Sequence, residues 1–173
     1  MTDQRPSRKY SLLIGSITAY WSVTELMCDH ALAVLLRIDP NLSRCITASV
    51  ADFSTRLNIL KAVSGQTIND KALLEEFHGI LERLSGASRE RNKVVNSVWF
   101  NLGYEDLVPT RYSFESGEVP IVESTKYRPE KLKQVLGEIK DATEALTTFL
   151  LDRLGMSPSM PGVVIQSSPE ESS

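Results

Sequence analysis

The side chains best suited to chemistry lie in one short segment of the chain, residues 88–99. Arg91 falls among apolar residues of a predicted helix, where a guanidinium must be paired or face a water-filled cleft because it keeps its proton. On the opposite face, helical spacing brings together four further polar side chains, namely Arg89, Asn92, Lys93 and Asn96. The amide of Asn96 can hydrogen-bond a phosphate, a ribose hydroxyl or a base edge. We therefore predict a polar cleft centred on Arg91, with Arg89 and Lys93 at its rim.

A purely structural role for Arg91 is the alternative. An inward-facing arginine often forms an ion pair that holds helices in register, and the candidate partners here are Glu25, Asp29 and Asp52. The other polar side chains of the segment would then be ordinary surface or helix-end residues.

The elements that must position this segment are predicted to be four helices. Apolar residues recur at helical spacing from Tyr10 to Arg37, from a cap at Asn41 or Ser43 to Gly65, from a cap at Asn69 or Asp70 through Val98, and from Pro129 to Gly155. The helical spacing of apolar residues is absent from residues 99–128. Apolar and polar residues alternate on both sides of a turn at 115–118, which predicts a short β-hairpin arm. The expected fold is mainly α, a four-helix up-down bundle over residues 10–154 with the hairpin inserted before the last helix. Residues 1–9 are predicted to be flexible, and the Ser- and Pro-rich residues 155–173 to be a disordered tail.

The first predicted helix is apolar on two sides. One stripe includes Ile17, Trp21 and Cys28, and a second includes Leu12 and Val23. A single chain of this size has few helices to cover both stripes, so the pattern predicts a homodimer.

Composition excludes several functional classes. With 19 Lys+Arg against 22 Asp+Glu and a net charge of -3, the chain is not expected to bind nucleic acid or membranes through bulk positive charge. Two cysteines form neither a disulfide framework nor a zinc motif, and the sequence lacks a phosphate-binding glycine loop, so we predict no metal and no cofactor. No apolar run approaches the roughly 20 residues of a membrane span and no signal peptide is evident, which predicts a cytoplasmic protein.

The segment from Arg91 to Asn96 resembles the signature of HEPN-domain proteins (higher eukaryotes and prokaryotes nucleotide-binding). That signature is an arginine, a polar residue that is often asparagine, a few more residues and then a histidine, and Asn96 stands where the family has its histidine. Trp21 with Glu25, and the segment from Arg56 to Lys61, are also similar to bacterial HEPN-like proteins that carry a hairpin before the last helix. The resemblance covers about residues 10–153 in layout, and it identifies Arg91, Asn92 and Asn96 as the motif positions.

The resemblance implies metal-independent RNA cleavage at a dimer cleft, in which histidine moves the proton of the 2′-hydroxyl and arginine stabilises the charged phosphate. Asn96 cannot replace that histidine, because an amide is neither an acid nor a base at neutral pH. We therefore predict a dimeric HEPN-like protein without the family's usual RNase activity. It would bind RNA or a nucleotide, or act as an interaction module in a defence or toxin–antitoxin setting, with a nucleotidyltransferase-type antitoxin as a candidate partner. An active endoribonuclease is the enzymatic alternative, in which a residue such as His30 of either subunit supplies the missing group.

Overall fold

A computed structural model describes residues 8–50, 52–100, 108–113, 121–124 and 128–156. This part of the chain is mainly helical and contains five helices. They are α1 (Arg8–Leu36), α2 (Pro40–Ala48), α3 (Phe53–Thr67), α4 (Lys71–Val95) and α5 (Pro129–Asp152). Three short strands, β1 (Val98–Phe100), β2 (Val108–Ser113) and β3 (Ile121–Ser124), lie between α4 and α5 in sequence.

Helix α1 is close to its predicted extent, beginning two residues before Tyr10 and ending one residue before Arg37. Its predicted inner stripe is confirmed, because Ile17, Trp21 and Cys28 are buried. Arg37 ends the helix in the left-handed conformation with φ 54°, and the amide of Ile38 donates to the carbonyl of Ala33 across the turn.

The predicted second helix is in fact two helices, α2 and α3. The expected caps at Asn41 and Ser43 are wrong: Asp39 caps α2 by accepting from the amide of Asn41 at 2.8 Å, and Ser43 instead donates to the carbonyl of Asp29 on α1. Asp52 then caps α3 by accepting from the amide of Thr55 at 2.9 Å. The apolar spacing continues across the break, and for this reason periodicity alone predicts one helix.

Helix α4 begins at the cap Asp70, one of the two residues predicted for this role. It ends at Val95, with Asn96 as the C-terminal cap, so the predicted extension through Val98 is wrong. Val98 belongs to β1, where its backbone pairs with Thr110. Helix α5 begins at Pro129 as predicted and ends at Asp152, a few residues before Gly155.

The four long helices α1, α3, α4 and α5 share one core. Helix α1 packs against α5 and α3, and α4 packs against the same two helices. The rings of Phe77 and Phe149 lie 5.1 Å apart between α4 and α5. The buried hydroxyls of Thr24 and Thr143 lie 2.7 Å apart between α1 and α5, which satisfies two polar groups inside the apolar core.

The three described strands form an antiparallel sheet in the order β1-β2-β3. Residues 101–107 and 114–120, which include the predicted turn, lie outside the described residues. The hairpin arm therefore stays a prediction, as do the flexible N-terminus and the disordered tail, because residues 1–7 and 157–173 are also outside the description.

One side of α1 faces away from this core. Leu12 is 61% exposed and Val23 is 45% exposed on that side, and the small residues Gly15 and Ala19 lie between them. Among the described residues, no helix combines the length and the hydropathy that crossing a membrane requires.

Candidate functional site

Arg91 lies half-buried on α4 with its guanidinium against an aromatic ring. Its Cζ atom is 5.6 Å from the centre of the Trp21 ring, within the range of a cation–π contact. One terminal nitrogen donates to the side-chain oxygen of Asn92 at 3.0 Å. The Nε atom is buried and has no hydrogen-bond partner among the described residues. The side chain is thus held in place by a cation–π contact and by one neutral hydrogen bond.

The aromatic ring that contacts this arginine belongs to Trp21. It is 3% exposed, and its ring meets that of Phe53 edge-on at 4.6 Å. Phe53 is the first residue of α3, held there by the Asp52 cap. Three helices therefore determine where the guanidinium lies. Apolar spacing predicts Tyr20, Trp21 and Phe53 to be core residues; this is confirmed for Trp21 and Phe53 and wrong for Tyr20, which is 40% exposed.

None of the three carboxylates proposed as partners of Arg91 forms an ion pair with it in the described part of the chain. Asp29 lies 4.0 Å from Nη1 of Arg56, and Arg56 also donates from Nε to the carbonyl of Val50 at 2.9 Å. Asp52 caps α3. Within the described part of the chain, Arg91 forms no ion pair with Glu25 or with any other carboxylate.

The two basic residues predicted at the rim differ in their surroundings. Arg89 is exposed and donates to the hydroxyl of Ser85 at 3.2 Å. Lys93 is paired with Glu90 at 2.7 Å, and Glu90 also lies 3.8 Å from Lys131 at the start of α5. Glu90 was not anticipated as a site residue, although its spacing of three residues from Lys93 is that of a helical ion pair. It offsets part of the positive charge beside Arg91.

The two asparagines of the motif lie one helical turn apart and are both exposed. The side-chain oxygen of Asn92 accepts a hydrogen bond from Arg91. Asn96 caps the helix, and its backbone amide donates to the carbonyl of Asn92 at 3.0 Å. The structure thus joins Arg91 directly to Asn92, and it places Asn96 one turn farther along, at the end of the same helix.

Neither histidine lies beside Arg91. His78 bonds the hydroxyl of Ser64 at 3.1 Å and is ~20 Å along α4 from Arg91. His30 is buried on the side of α1 opposite to Trp21 and ~13 Å farther along the helix. Burial lowers the pKa of His30 below 6.5, with Asp29 and Arg44 as nearby charges. His30 of the same chain is therefore not placed to act with Arg91.

One cavity in the described part of the chain lies away from Arg91. A cleft of about 150 Å³ between α3 and α4 is lined by residues that include Lys61, His78 and Ser85. No group of three metal-ligating side chains occurs in the part of the chain that the structure describes.

We expect the contribution of Glu90 to the free energy of unfolding to be lost at acid pH. The hydrogen bond from Lys93 lowers the pKa of Glu90 below 4.5, so its stabilising effect is present above that pH and is lost as pH falls through the lowered value. Glu90→Gln should therefore be less stable than the wild type at pH 7, and the difference should vanish in stronger acid. Urea unfolding at a series of pH values measures this. Glu82→Gln, at an exposed position on the same helix, serves as the control, and a difference that persisted at the lowest pH would contradict the assignment.

The sequence singles out Arg91 and Asn92 as candidate site residues, which stays a prediction, but it did not anticipate that the Trp21 ring lies against the guanidinium. The apolar stripe of α1 predicts that Trp21 lies in the core, but it does not indicate which helix its ring faces. A comparison of the chain with family models, curated proteins and solved structures finds no match.

Proposed function

We propose that this chain is a HEPN-like four-helix bundle that binds RNA or a nucleotide through Arg91 and lacks the family's usual RNase activity. The same proposal includes homodimer formation, a cytoplasmic location and the hairpin arm. It also includes a defence or toxin–antitoxin setting with a nucleotidyltransferase-type antitoxin. The phosphate group is the chemistry that RNA and nucleotides share.

The proposal rests on the contacts that the Arg91 guanidinium makes. The guanidinium lies over the ring of Trp21 in a cation–π contact and donates a hydrogen bond to Asn92, and no described carboxylate neutralises it. A structural arginine at a half-buried position would be expected to have such a partner. A planar guanidinium oriented by an aromatic ring suits a phosphate, which can accept two parallel N–H bonds from it.

Asn92 and Asn96 extend this site with neutral polar groups. Both are exposed on the same side of α4, where their amides can bond a ribose hydroxyl or a base edge. Arg89 lies at the same end of the helix and adds a second positive charge.

We expect Arg91→Ala to weaken binding of a short structured RNA by about 10- to 100-fold, the value of one charge-assisted bond. Fluorescence anisotropy at fixed salt measures this, and mononucleotides in parallel distinguish a nucleotide site from an RNA site. Arg83→Ala is the matched control, because Arg83 is an exposed arginine two turns earlier on α4. Equal affinity for wild type and Arg91→Ala would refute the proposed site.

The enzymatic alternative is tested on the same samples. Wild-type protein in EDTA should leave the RNA uncut, since Asn96 cannot transfer a proton. Cleavage that Arg91→Ala abolishes would instead favour a metal-independent endoribonuclease. The variant Asn96→His restores the family's motif, so cleavage by this variant alone would support the HEPN-like assignment, and its absence would count against it.

A further inference from the structure

A polar groove lies between α3 and α4, on a different side of α4 from Arg91. Its volume is about 150 Å³, and two buried leucines, Leu57 and Leu81, form its apolar part. The other lining residues are all polar, namely Ser54, Asn58, Lys61, His78, Glu82 and Ser85. We call this cavity the α3–α4 groove. Arg91 does not line it, so the groove is separate from the proposed RNA site.

A buried hydroxyl holds His78 in the groove. Ser64 is fully buried, and its Oγ lies 3.0 Å from the carbonyl oxygen of Lys61 and 3.1 Å from Nε2 of His78. A carbonyl oxygen only accepts, so the single proton of the hydroxyl is donated to Lys61. The hydroxyl must then accept from His78, which places a proton on Nε2. Nδ1 is left as the ring nitrogen without a partner among the described residues.

This hydrogen bond lets His78 exist in two protonation states without moving. A neutral imidazole with its proton on Nε2 accepts a hydrogen bond at Nδ1, whereas an imidazolium donates from both nitrogens. Nε2 donates to Ser64 in either state, so the ring keeps its orientation. His78 therefore accepts from a ligand that carries a proton, and donates to a ligand that carries none.

Two cationic side chains lie at the same groove. Lys61 has three N–H donors and forms no ion pair with the carboxylates that the structure describes. Arg89 donates to the hydroxyl of Ser85 at 3.2 Å, so that hydroxyl still has its own proton to donate. Glu82 is the single carboxylate among the lining residues. Unused donors and positive charge therefore outweigh acceptors and negative charge.

We propose that the α3–α4 groove binds a phosphate group, with the Lys61 ammonium and the His78 ring as its main contacts and the Ser85 hydroxyl as a third. Phosphate oxygens are acceptors and carry negative charge, which matches the donors that the groove leaves unused. A divalent cation is the wrong class of ligand, because the ammonium of Lys61 would repel it. The site uses none of the contacts of Arg91, so the proposal does not rest on the proposed function.

Titration of the full chain with inorganic phosphate at constant ionic strength tests the site. We use an Arg91→Ala background, so that phosphate bound at Arg91 does not contribute. Saturable shifts of the His78 ring nitrogens in NMR spectra are expected, with a Kd of ~0.1–10 mM. Lys61→Gln should weaken binding by at least about 10-fold, the value of one charge-assisted bond. Lys133→Gln is the matched control, because Lys133 is an exposed lysine on α5 outside the groove.

Three results would overturn the proposal. They are the absence of saturable shifts at His78, full affinity in Lys61→Gln, and an equal loss in Lys133→Gln. The second histidine of the chain, His30, is an internal reference, because it lies outside the groove and its ring signals should not move with phosphate.

The role of His78 is tested with sulfate, which keeps its charge while an imidazole titrates. Wild type in the same background is expected to bind sulfate about 10-fold more tightly at about pH 5.5 than at about pH 8, because the imidazolium adds a donor and a charge at Nδ1. His78→Gln should bind equally at both pH values. Lys61, Glu82 and Arg89 are the other charged groups at the groove and are present in both proteins, so the difference belongs to His78. The same pH response in His78→Gln would overturn the proposed contact.

The source of the phosphate is tested by comparing inorganic phosphate with a small alkyl phosphate monoester and with the parent alcohol. Tighter binding of the monoester would assign the groove to phosphorylated metabolites, and tighter binding of inorganic phosphate would assign it to the free ion. Either result supports a phosphate site. Binding of the alcohol as tightly as the monoester would overturn it, because the phosphate would then contribute nothing.

Discussion

Replacing Trp21 by alanine is expected to lower the free energy of unfolding by about 3–5 kcal/mol, the usual cost of removing a buried tryptophan. The side chain is 3% exposed and contacts Phe53 edge-on at 4.6 Å, so the cavity would open between α1 and the start of α3. Urea unfolding followed by far-UV circular dichroism measures the loss without depending on tryptophan fluorescence.

The same substitution should also affect the proposed RNA site. Without the ring, the guanidinium of Arg91 loses the cation–π contact at 5.6 Å that orients it, and RNA affinity should fall even at temperatures where the variant is folded. Trp21→Phe separates the two effects, because it keeps an aromatic face for Arg91 while giving up part of the packing. A Trp21→Ala protein that is folded and binds RNA as tightly as wild type would contradict the role of the ring.

The second large effect is expected at Arg56. Asp29 and Arg56 are both largely buried, with side chains 10% and 17% exposed, and their charged atoms lie 4.0 Å apart. Arg56→Met would leave the Asp29 carboxylate inside the protein without its cation, which we expect to cost about 3 kcal/mol. Chemical denaturation at pH 7 provides the measurement.

A double variant distinguishes loss of the pair from loss of packing. Asp29→Asn combined with Arg56→Met removes both charges and should recover most of the stability, to within about 1 kcal/mol of wild type, because the pair itself contributes little once desolvation is counted. The buried Oδ1 of Asp29 has no hydrogen-bond partner among the described residues, which is consistent with a weak pair. A double variant as unstable as Arg56→Met would show that the methylene stem of Arg56 matters more than its charge.

Most of the helical layout follows from apolar spacing and from the caps. The inner stripe of α1, the Asp70 cap of α4 and the start of α5 at Pro129 were all predictable, since burial and capping act through residues close in sequence. The break between α2 and α3 was not predictable in this way. Val50 and Phe53 continue the apolar period across it, and the deciding groups are the carboxylates of Asp39 and Asp52.

The site was only half predictable for a similar reason. That Arg91 occupies an apolar stripe is visible in the sequence, but its neighbours come from helices distant along the chain. Spacing alone left three carboxylates as candidate partners for Arg91. The structure assigns Asp29 to Arg56 and Asp52 to the α3 cap, and it gives Arg91 an aromatic ring instead. Such pairings depend on how helices pack, which periodicity within one helix does not determine.

The way in which α4 ends has a consequence for how this protein can change over evolution. The backbone amide of Asn96 closes the helix, and its side chain is exposed. Because any residue with an ordinary φ supplies that amide, we expect a substitution at position 96 to change stability little. Asparagine and histidine codons differ by one base, so a single mutation exchanges an amide for an imidazole at this position while leaving the scaffold intact.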